Sequence, residues 1–402
     1  MKRQITKQIA SIIIQTSQFL HVIIGPRQVG KSTAAKQIAE ELGIPTHSVS
    51  ADGPEIRTAM WLEEQWRIAL MLGSEDRPAL LIIDEMQKIT GWGETVKLLW
   101  DKIKDQPKNP LRVILLGSSS LLIQDGLTES LAGRFLLHRF SHWSLSEMNE
   151  LCGLGLNQWL YFGGYPGGAS LVPHELTWRS YILDSLIETT LSRDILQLQK
   201  VTKPSLLRTL FFTAVQHPAE IISYTKLMGL IPEAGNAGTV AHYTQLLASA
   251  FLLQPLALYP SHSSRASKPK IIVRNNALIT AVGDRSFDET MGNSQRMGRL
   301  AENAVGAHLL NGLHPSEYKV NYFRERVRGR DLEVDFIITR GDQVLALEVT
   351  TAESHSREGL EAFKEHVPNS LSIIVGPGGI PLVDFLSTPP DQFLSPSLYR
   401  RG

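Results

Sequence analysis

The sequence predicts an α/β protein in three parts. A doubly wound, mostly parallel sheet comes first, a helical module with a small hairpin follows, and a second α/β domain ends the chain. Three observations carry this. The apolar runs Phe19–Ile24, Ala79–Ile83 and Arg112–Leu116 alternate with helical stretches and end in Gly, Asp-Glu and Gly-Ser, the pattern of buried parallel strands with crossover helices. Residues 204–274 read as three helices and two strands. Residues 297–375 read as helix, three strands, helix, strand.

At 402 residues the chain is long enough for two or three domains and a sizeable core. Lys plus Arg total 40 and Asp plus Glu total 40, so net charge does not point to a polyanion, and any such contact must be local. The single cysteine, Cys152, excludes an internal disulfide and a cysteine-rich metal site, as expected of a reducing cytosol. No run approaches the ~18 apolar residues of a membrane span. Met1-Lys2-Arg3 leads into Ile9, Ile12 and Ile13 at helical spacing without a small-residue cleavage site behind them. That predicts a lead-in helix and a cytoplasmic protein with no membrane partner.

The first strand runs into Gly25-Pro26-Arg27-Gln28-Val29-Gly30-Lys31-Ser32-Thr33, which fits the phosphate-binding pattern G-x-x-x-x-G-K-[ST]. The glycines let backbone N–H groups turn inward onto phosphate oxygens. Lys31 would neutralise the β- and γ-phosphates, and the Ser32 hydroxyl would ligate Mg²⁺. Residues 32–43 read as the following helix with a glycine stop, so a helix dipole is aimed at the phosphates. The pattern predicts a site for ATP and Mg²⁺ formed by Gly25 through Thr33.

Between Lys31 and the second strand there is room for helix, strand and helix. That strand ends in Asp84-Glu85. Asp84 would hold the shell of the Mg²⁺ and Glu85 would polarise the attacking water, the pairing that ATP hydrolysis needs. The third strand ends in Gly117-Ser118-Ser119-Ser120. Ser118 or Ser119 is either a γ-phosphate sensor or part of a plain turn. Arg134, after Gly133, is either a finger reaching a neighbouring subunit or a surface ion pair of its own domain.

These strings resemble the AAA-type bacterial and archaeal ATPases that carry a C-terminal domain of unknown function. Gly25–Ser32, Asp84-Glu85-Met86-Gln87-Lys88, Gly117–Ser120 and Leu131-Ala132-Gly133-Arg134 carry the resemblance, with Gly163-Gly164-Tyr165-Pro166 and Ser192–Ile195 further on. It covers nearly the whole chain. Ser32 stands where many members have Thr, and Met86 where they often have Ile. The resemblance implies an ATP-binding domain over 1–150, a helical lid or linker over 151–203, a winged-helix-like module over 204–295 and a last domain over 296–402.

In the middle, helices are expected at Ser205–Gln216, Glu220–Leu230 and Ala237–Leu253, then strands near Leu256–Tyr259 and Lys270–Arg274. This is the order of a winged helix, whose third helix often reads DNA. The segment 236–254 contains no Lys or Arg, thin equipment for gripping phosphates. Arg265, Lys268, Lys270 and Arg274 make the wing loop either a backbone contact or a solvated loop. Gly163–Gly168 is read as a hinge or a simple loop.

The C-terminal order is that of the restriction-endonuclease-like core. Asp335 and Glu348 on adjacent strands, with Glu302 on the preceding helix, form a candidate divalent-metal site for phosphodiester cleavage, so this domain looks like the PD-(D/E)XK nucleases. The departure is Thr350, where those enzymes place a lysine that stabilises the transition state. Lys364 is the candidate replacement. Arg324, Arg326, Arg328 and Arg330 form a local positive face, partly offset by Glu325 and Asp331.

The sequence-level reading is a Mg²⁺-dependent ATPase coupled to a winged-helix module and a nuclease-like domain, acting on DNA as a homo-oligomer. The alternative is a slow ATP-driven switch or scaffold for an unidentified protein partner, with the last domain inactive.

Overall fold

A computed structural model describes residues 3–74, 76–106, 108–117, 130–195, 201–231, 235–260, 268–353 and 356–394. The chain divides into two compact units between Ser141 and His142.

The first unit is a five-stranded, wholly parallel sheet in the order β2-β3-β4-β1-β5. Its strands are β1 (Leu20–Ile24), β2 (Thr46–Ser50), β3 (Ala79–Asp84), β4 (Leu111–Gly117) and β5 (Phe135–Arg139). The apolar runs of β1 and β3 are continuous because both faces of those strands are covered. The lead-in helix α1 (Gln4–Gln15) buries Ile9 and Ile13 of the expected stripe, together with Ala10, and leaves Ile12 half-buried. Helices α2 (Lys31–Leu42), α3 (Ala59–Leu72) and α4 (Trp92–Asp101) supply the crossovers. The edge-on pair Trp66 and Trp100, 6.4 Å between centroids, fastens α3 to α4. Full burial of each Leu, Ile or Val in this core contributes roughly 1.5–3 kcal/mol.

Because every strand is parallel, the carboxyl ends of β1, β3 and β4 share one edge. Ile24 lies opposite Gly117, and Ile83 opposite Leu115. The chain leaves β1 for β2 at the far edge of the sheet, and this change of direction opens a crevice at the carboxyl ends. The site-forming segments therefore arrive together.

The second unit starts with helices 145–152, 156–162 and 175–180. Gly163 and Gly164 are a tight crossing. A Cβ on Gly164 would lie 2.1 Å from the Trp143 carbonyl oxygen, and the Gly164 N–H donates to Asn275 Oδ1 at 3.2 Å.

Helices α5 (Pro204–Ala214), α6 (Tyr224–Leu230) and α7 (Ala237–Ser249) then accompany a small antiparallel sheet, β6 (Glu220–Ile221), β7 (Leu253–Leu256) and β8 (Lys270–Val273), in the order β6-β8-β7. Two expected helix boundaries move. Glu220 and Ile221 pair with Ile271 and Lys270, so the helix begins only after Ser223, whose hydroxyl caps it by accepting from Lys226 N–H at 3.0 Å. Leu253 is taken into β7, so α7 stops at Ser249. Strand pairing overrides local helical preference at both places.

The last part has α8 (Ser294–Gly312), β9 (Lys319–Val327), β10 (Arg330–Arg340), β11 (Gln343–Val349), α9 (Glu358–His366) and β12 (Leu371–Val375), the expected order. Its sheet runs β12-β11-β10-β9, antiparallel except for β11 with β12. Phe323, Val334, Ile337, Leu360 and Phe363 build the core between this sheet and α9. The whole chain is thus a parallel-sheet α/β region of the P-loop kind followed by helical and then α/β regions. Among the described residues, no helix is long and apolar enough to cross a membrane.

Candidate functional site

The phosphate loop joins β1 to α2 and is shaped by close packing. A Cβ on Gly25 would lie 2.1 Å from the Phe140 carbonyl oxygen, so only glycine fits there. Gln28 and Gly30 have φ of +61° and +87°, the left-handed turns that curl the loop over the helix start. Val29 is buried beneath it, and Gly30 accepts the first helical hydrogen bond, from Ala34 N–H at 2.8 Å. The α2 N-terminus, with Ser32 and Thr33 exposed, faces outward as a site for negative charge.

Lys31 lies inside this curl. Its ammonium donates to the carbonyl oxygens of Gly25 at 2.9 Å and Pro26 at 2.8 Å, and the residue is 8 % exposed. Ser32 donates from Oγ to Asp84 Oδ2 at 2.5 Å. A hydroxyl and a carboxylate in contact, beside a curled loop, are the hard oxygen donors that suit Mg²⁺. Ser32 and Asp84 are the residues that would hold it, and the ion would supply positive charge against the phosphates.

Glu85 follows with φ of +53°, a left-handed backbone that ends the strand. Gln87 Nε2 donates to Glu85 Oε2 at 2.5 Å and steadies it. Burial, then the neighbouring Asp84 charge, raises its carboxyl above the usual carboxylate range. A carboxylate made more basic beside a metal-binding pair can accept a proton from water.

Ser118, Ser119 and Ser120 lie outside the described residues. Arg134 forms a two-pronged pair with Asp101, Nε to Oδ1 at 2.8 Å and Nη2 to Oδ2 at 2.9 Å. It is engaged within its own unit, and would have to leave Asp101 to serve a neighbour.

The second candidate site is centred on a residue first read as a surface cation. Lys270, the first residue of β8, is fully buried. Its Nζ lies 2.6 Å from Glu302 Oε1 on α8, and 2.9 Å and 3.2 Å from Asp335 Oδ1 and Glu333 Oε1 on β10. Glu333 and Asp335 share one face at strand spacing. The β9–β10 register slips between Val334 and Ile337, spanning Asp335, an irregularity that re-aims side chains. The second Asp335 oxygen accepts from Val349 N–H at 2.9 Å.

Burial would strip the Lys270 ammonium of its proton, but the three carboxylates outweigh it and hold the ammonium charged. Burial raises the Glu302 carboxyl, whereas at Asp335 the opposing pull of Lys270 and the Val349 N–H wins. Glu348 stands beside this group. Burial, followed by the Asp335 and Glu333 charges, pushes its carboxyl up to about 7, and its buried Oε2 has no hydrogen-bond partner among the described residues.

Of the predicted carboxylate trio, Glu302 and Asp335 therefore meet around Lys270, Glu333 joins them, and Glu348 is adjacent. Glu333 was legible two residues before Asp335. Lys270 was not, since the sequence groups it with other cations read as solvent-facing. Two sequence expectations are overturned here. Lys270 is buried, and Arg274 is spent on Asn311 Oδ1 at 2.8 Å and the Leu310 carbonyl at 3.2 Å, so neither is a phosphate contact. Lys364 lines a groove with Arg357, Glu361 and Ser372, whose lining includes none of Glu302, Glu333, Asp335 and Glu348. Arg265 lies outside the described residues. On the β9–β10 hairpin, Arg324 pairs with Asp331 at 2.7 Å.

Comparison with known proteins finds three family matches along the chain. Residues 17–149 match the family described as AAA domain, residues 154–289 a domain of unknown function (DUF8612), and residues 297–380 another (DUF4143). Over 386 residues the chain is 26% identical to the uncharacterized protein Rv2008c of Mycobacterium tuberculosis, covering 93% of this chain and 80% of that one. The same figures hold for the uncharacterized protein Mb2031c of Mycobacterium bovis. Among solved structures, the Walker-type ATPase PABY2304 of Pyrococcus abyssi superposes with a TM-score of 0.46 at 14% identity, over 70% of this chain and 95% of that one. The Thermotoga maritima RuvB Holliday junction branch migration motor gives a TM-score of 0.33 at 17% identity, over 64% and 90%. The segment 17–149, which matches the AAA domain family, thus brings the curled loop, the Lys31 ammonium and the Ser32–Asp84 contact into one crevice, the arrangement of a P-loop nucleotide site.

Proposed function

We propose that the chain is a Mg²⁺-dependent ATPase whose nucleotide state controls contact with nucleic acid. The observation that carries the reading is the meeting of Lys31, Ser32, Asp84 and Glu85 at the carboxyl edge of the parallel sheet. Lys31 would neutralise the transferring phosphoryl group, Ser32 and Asp84 would hold Mg²⁺, and Glu85 would take the proton of the attacking water. Arg134, once released from Asp101, is the candidate finger for a neighbouring copy, which makes the working form a homo-oligomer. The nucleic-acid contact assigned here is the tip of the β9–β10 hairpin. Arg328 and Gly329 turn there with φ of +49° and +84°, flanked by Arg326 and Arg330. The winged-helix order of α5–α7 with β6–β8 supports the same reading.

A second reading has its own support. α7 bears no Lys or Arg, and Lys270 and Arg274 are turned inward, which favours a switch acting on a protein partner. ATP turnover with and without single- and double-stranded DNA decides between them. Several-fold stimulation supports the nucleic-acid enzyme. Slow turnover indifferent to DNA supports the switch and removes the hairpin assignment.

A further inference from the structure

The carboxylates of the last domain invite a divalent ion. Glu302, Glu333 and Asp335 each offer an oxygen, all within 4.8 Å of one another. The residues around them do not fit one. Lys270 Nζ lies 2.6, 2.9 and 3.2 Å from those same oxygens. An ammonium has three N–H donors, and here it meets three acceptors. A Mg²⁺ bound to these oxygens at ~2.0–2.1 Å would have to sit where the ammonium sits.

We infer that Lys270 is the built-in cation of this cluster, standing where a divalent ion would stand, so that the domain keeps a nuclease-like arrangement of acids without metal and without phosphodiester cleavage. The inference holds whether or not the P-loop site turns over.

Four observations carry it. Lys270 belongs to β8, the central strand of its sheet, paired with Ile221 on one side and Leu256 on the other. Its backbone is fixed, and the tether keeps the ammonium at high effective concentration beside the acids. The ammonium also lies 5.1 Å from the centre of the Phe336 ring, whose face attracts a cation. The side chain is wholly shielded from solvent. A lysine that assists cleavage has to touch the attacking water or the scissile phosphate, and a fully covered ammonium touches neither. Finally, Thr350, where a nuclease lysine is expected, is occupied in a local turn: its Oγ1 accepts from Ala352 N–H at 3.1 Å and donates to the Ala352 carbonyl at 3.1 Å.

The test counts Mn²⁺ bound to the nucleotide-free full chain by electron paramagnetic resonance. Asp84→Asn is present throughout to silence the ATP-site donors. This parent and its Glu333→Gln derivative are expected to bind the same number of ions. Lys270→Met is expected to gain one equivalent, lost again when Asp335→Asn is added. An ion on the parent that Glu333→Gln or Asp335→Asn removes would overturn the inference. So would a folded Lys270→Met protein that gains none. Mn²⁺-dependent nicking of plasmid DNA by the parent, abolished by Asp335→Asn, would overturn it independently. If Lys270→Met does not fold, the parent and Glu333→Gln counts still decide.

Discussion

The Ser32 hydroxyl and the Asp84 carboxylate meet at 2.5 Å although 52 positions separate them in the chain. That contact joins the phosphate loop to the end of β3, and it exists because two parallel strands deliver their carboxyl ends to one edge of the sheet. Lys31 hangs over the same edge, held by two loop carbonyls. Removing its ammonium takes away a charge-assisted bond worth roughly 1.5–3 kcal/mol. Lys31→Ala is therefore expected to weaken ATP binding about ten- to a hundredfold, read by calorimetric titration. Unchanged affinity would move the nucleotide elsewhere.

Glu85 is expected to separate binding from chemistry. Glu85→Gln keeps the shape and the Gln87 contact, so ATP affinity should stay within about twofold while turnover falls about 10²–10⁴-fold, the usual weight of a positioned general base. Burial raises the Glu85 carboxyl, so the base works only once deprotonated. Turnover should fall on the acid side at a pH above that of an ordinary glutamate. Full turnover by the Glu85→Gln protein would remove the assignment.

Acid should loosen the N-terminal unit through its two stacked imidazoles. His21 on β1 and His138 on β5 share a ring–ring hydrogen bond, Nδ1 to Nε2 at 3.1 Å. That bond needs one ring nitrogen to accept, so two charged rings cannot make it. Burial, then the His138 charge, pushes His21 down to about 3, and burial alone takes His138 to about 4. Each stays neutral in the fold while the unfolded chain binds protons below about pH 6.5. The stability they contribute is complete above that pH and is lost as pH falls toward 4. Each ring withdraws on the order of 2 kcal/mol by pH 5. Melting temperature against pH should drop steeply over that window, and less steeply in His138→Gln. An identical slope in the two proteins would rule the pair out as its cause.

Lys270 and Lys364 should differ sharply under the same substitution. Lys270→Ala leaves buried acids without their counter-charge and is expected to cost about 3–5 kcal/mol. Lys364→Ala, on an exposed helix face, should stay within about 0.5 kcal/mol. Urea midpoints measure both, and equal losses would contradict the burial described for Lys270.

The sequence disclosed what is local. The phosphate loop and Asp84-Glu85 are contiguous strings whose residue types perform their own chemistry, and the central strands read as unbroken apolar runs because both their faces are covered. What it hid is non-local. Asp335 lies 65 positions from Lys270, and nothing in the neighbourhood of Lys270 distinguishes a neutralising core ammonium from a solvated wing-loop cation. β6 has two residues, too few for any periodicity, so Glu220 and Ile221 passed for helix. Arg134 read as finger or ion pair because its partner Asp101 arrives from the end of α4, 33 positions away.

Lys270 stands in the small sheet of the middle module, while the acids that neutralise it stand on α8 and β10. A chain cut near residue 295 would leave an ammonium facing nothing. The fragment beginning there would hold a nest of acids with no cation. Neither piece is expected to be stable alone, although residues 154–289 and 297–380 match separate families. Moving the last domain into another protein intact would therefore require moving β8 with it, or replacing its charge.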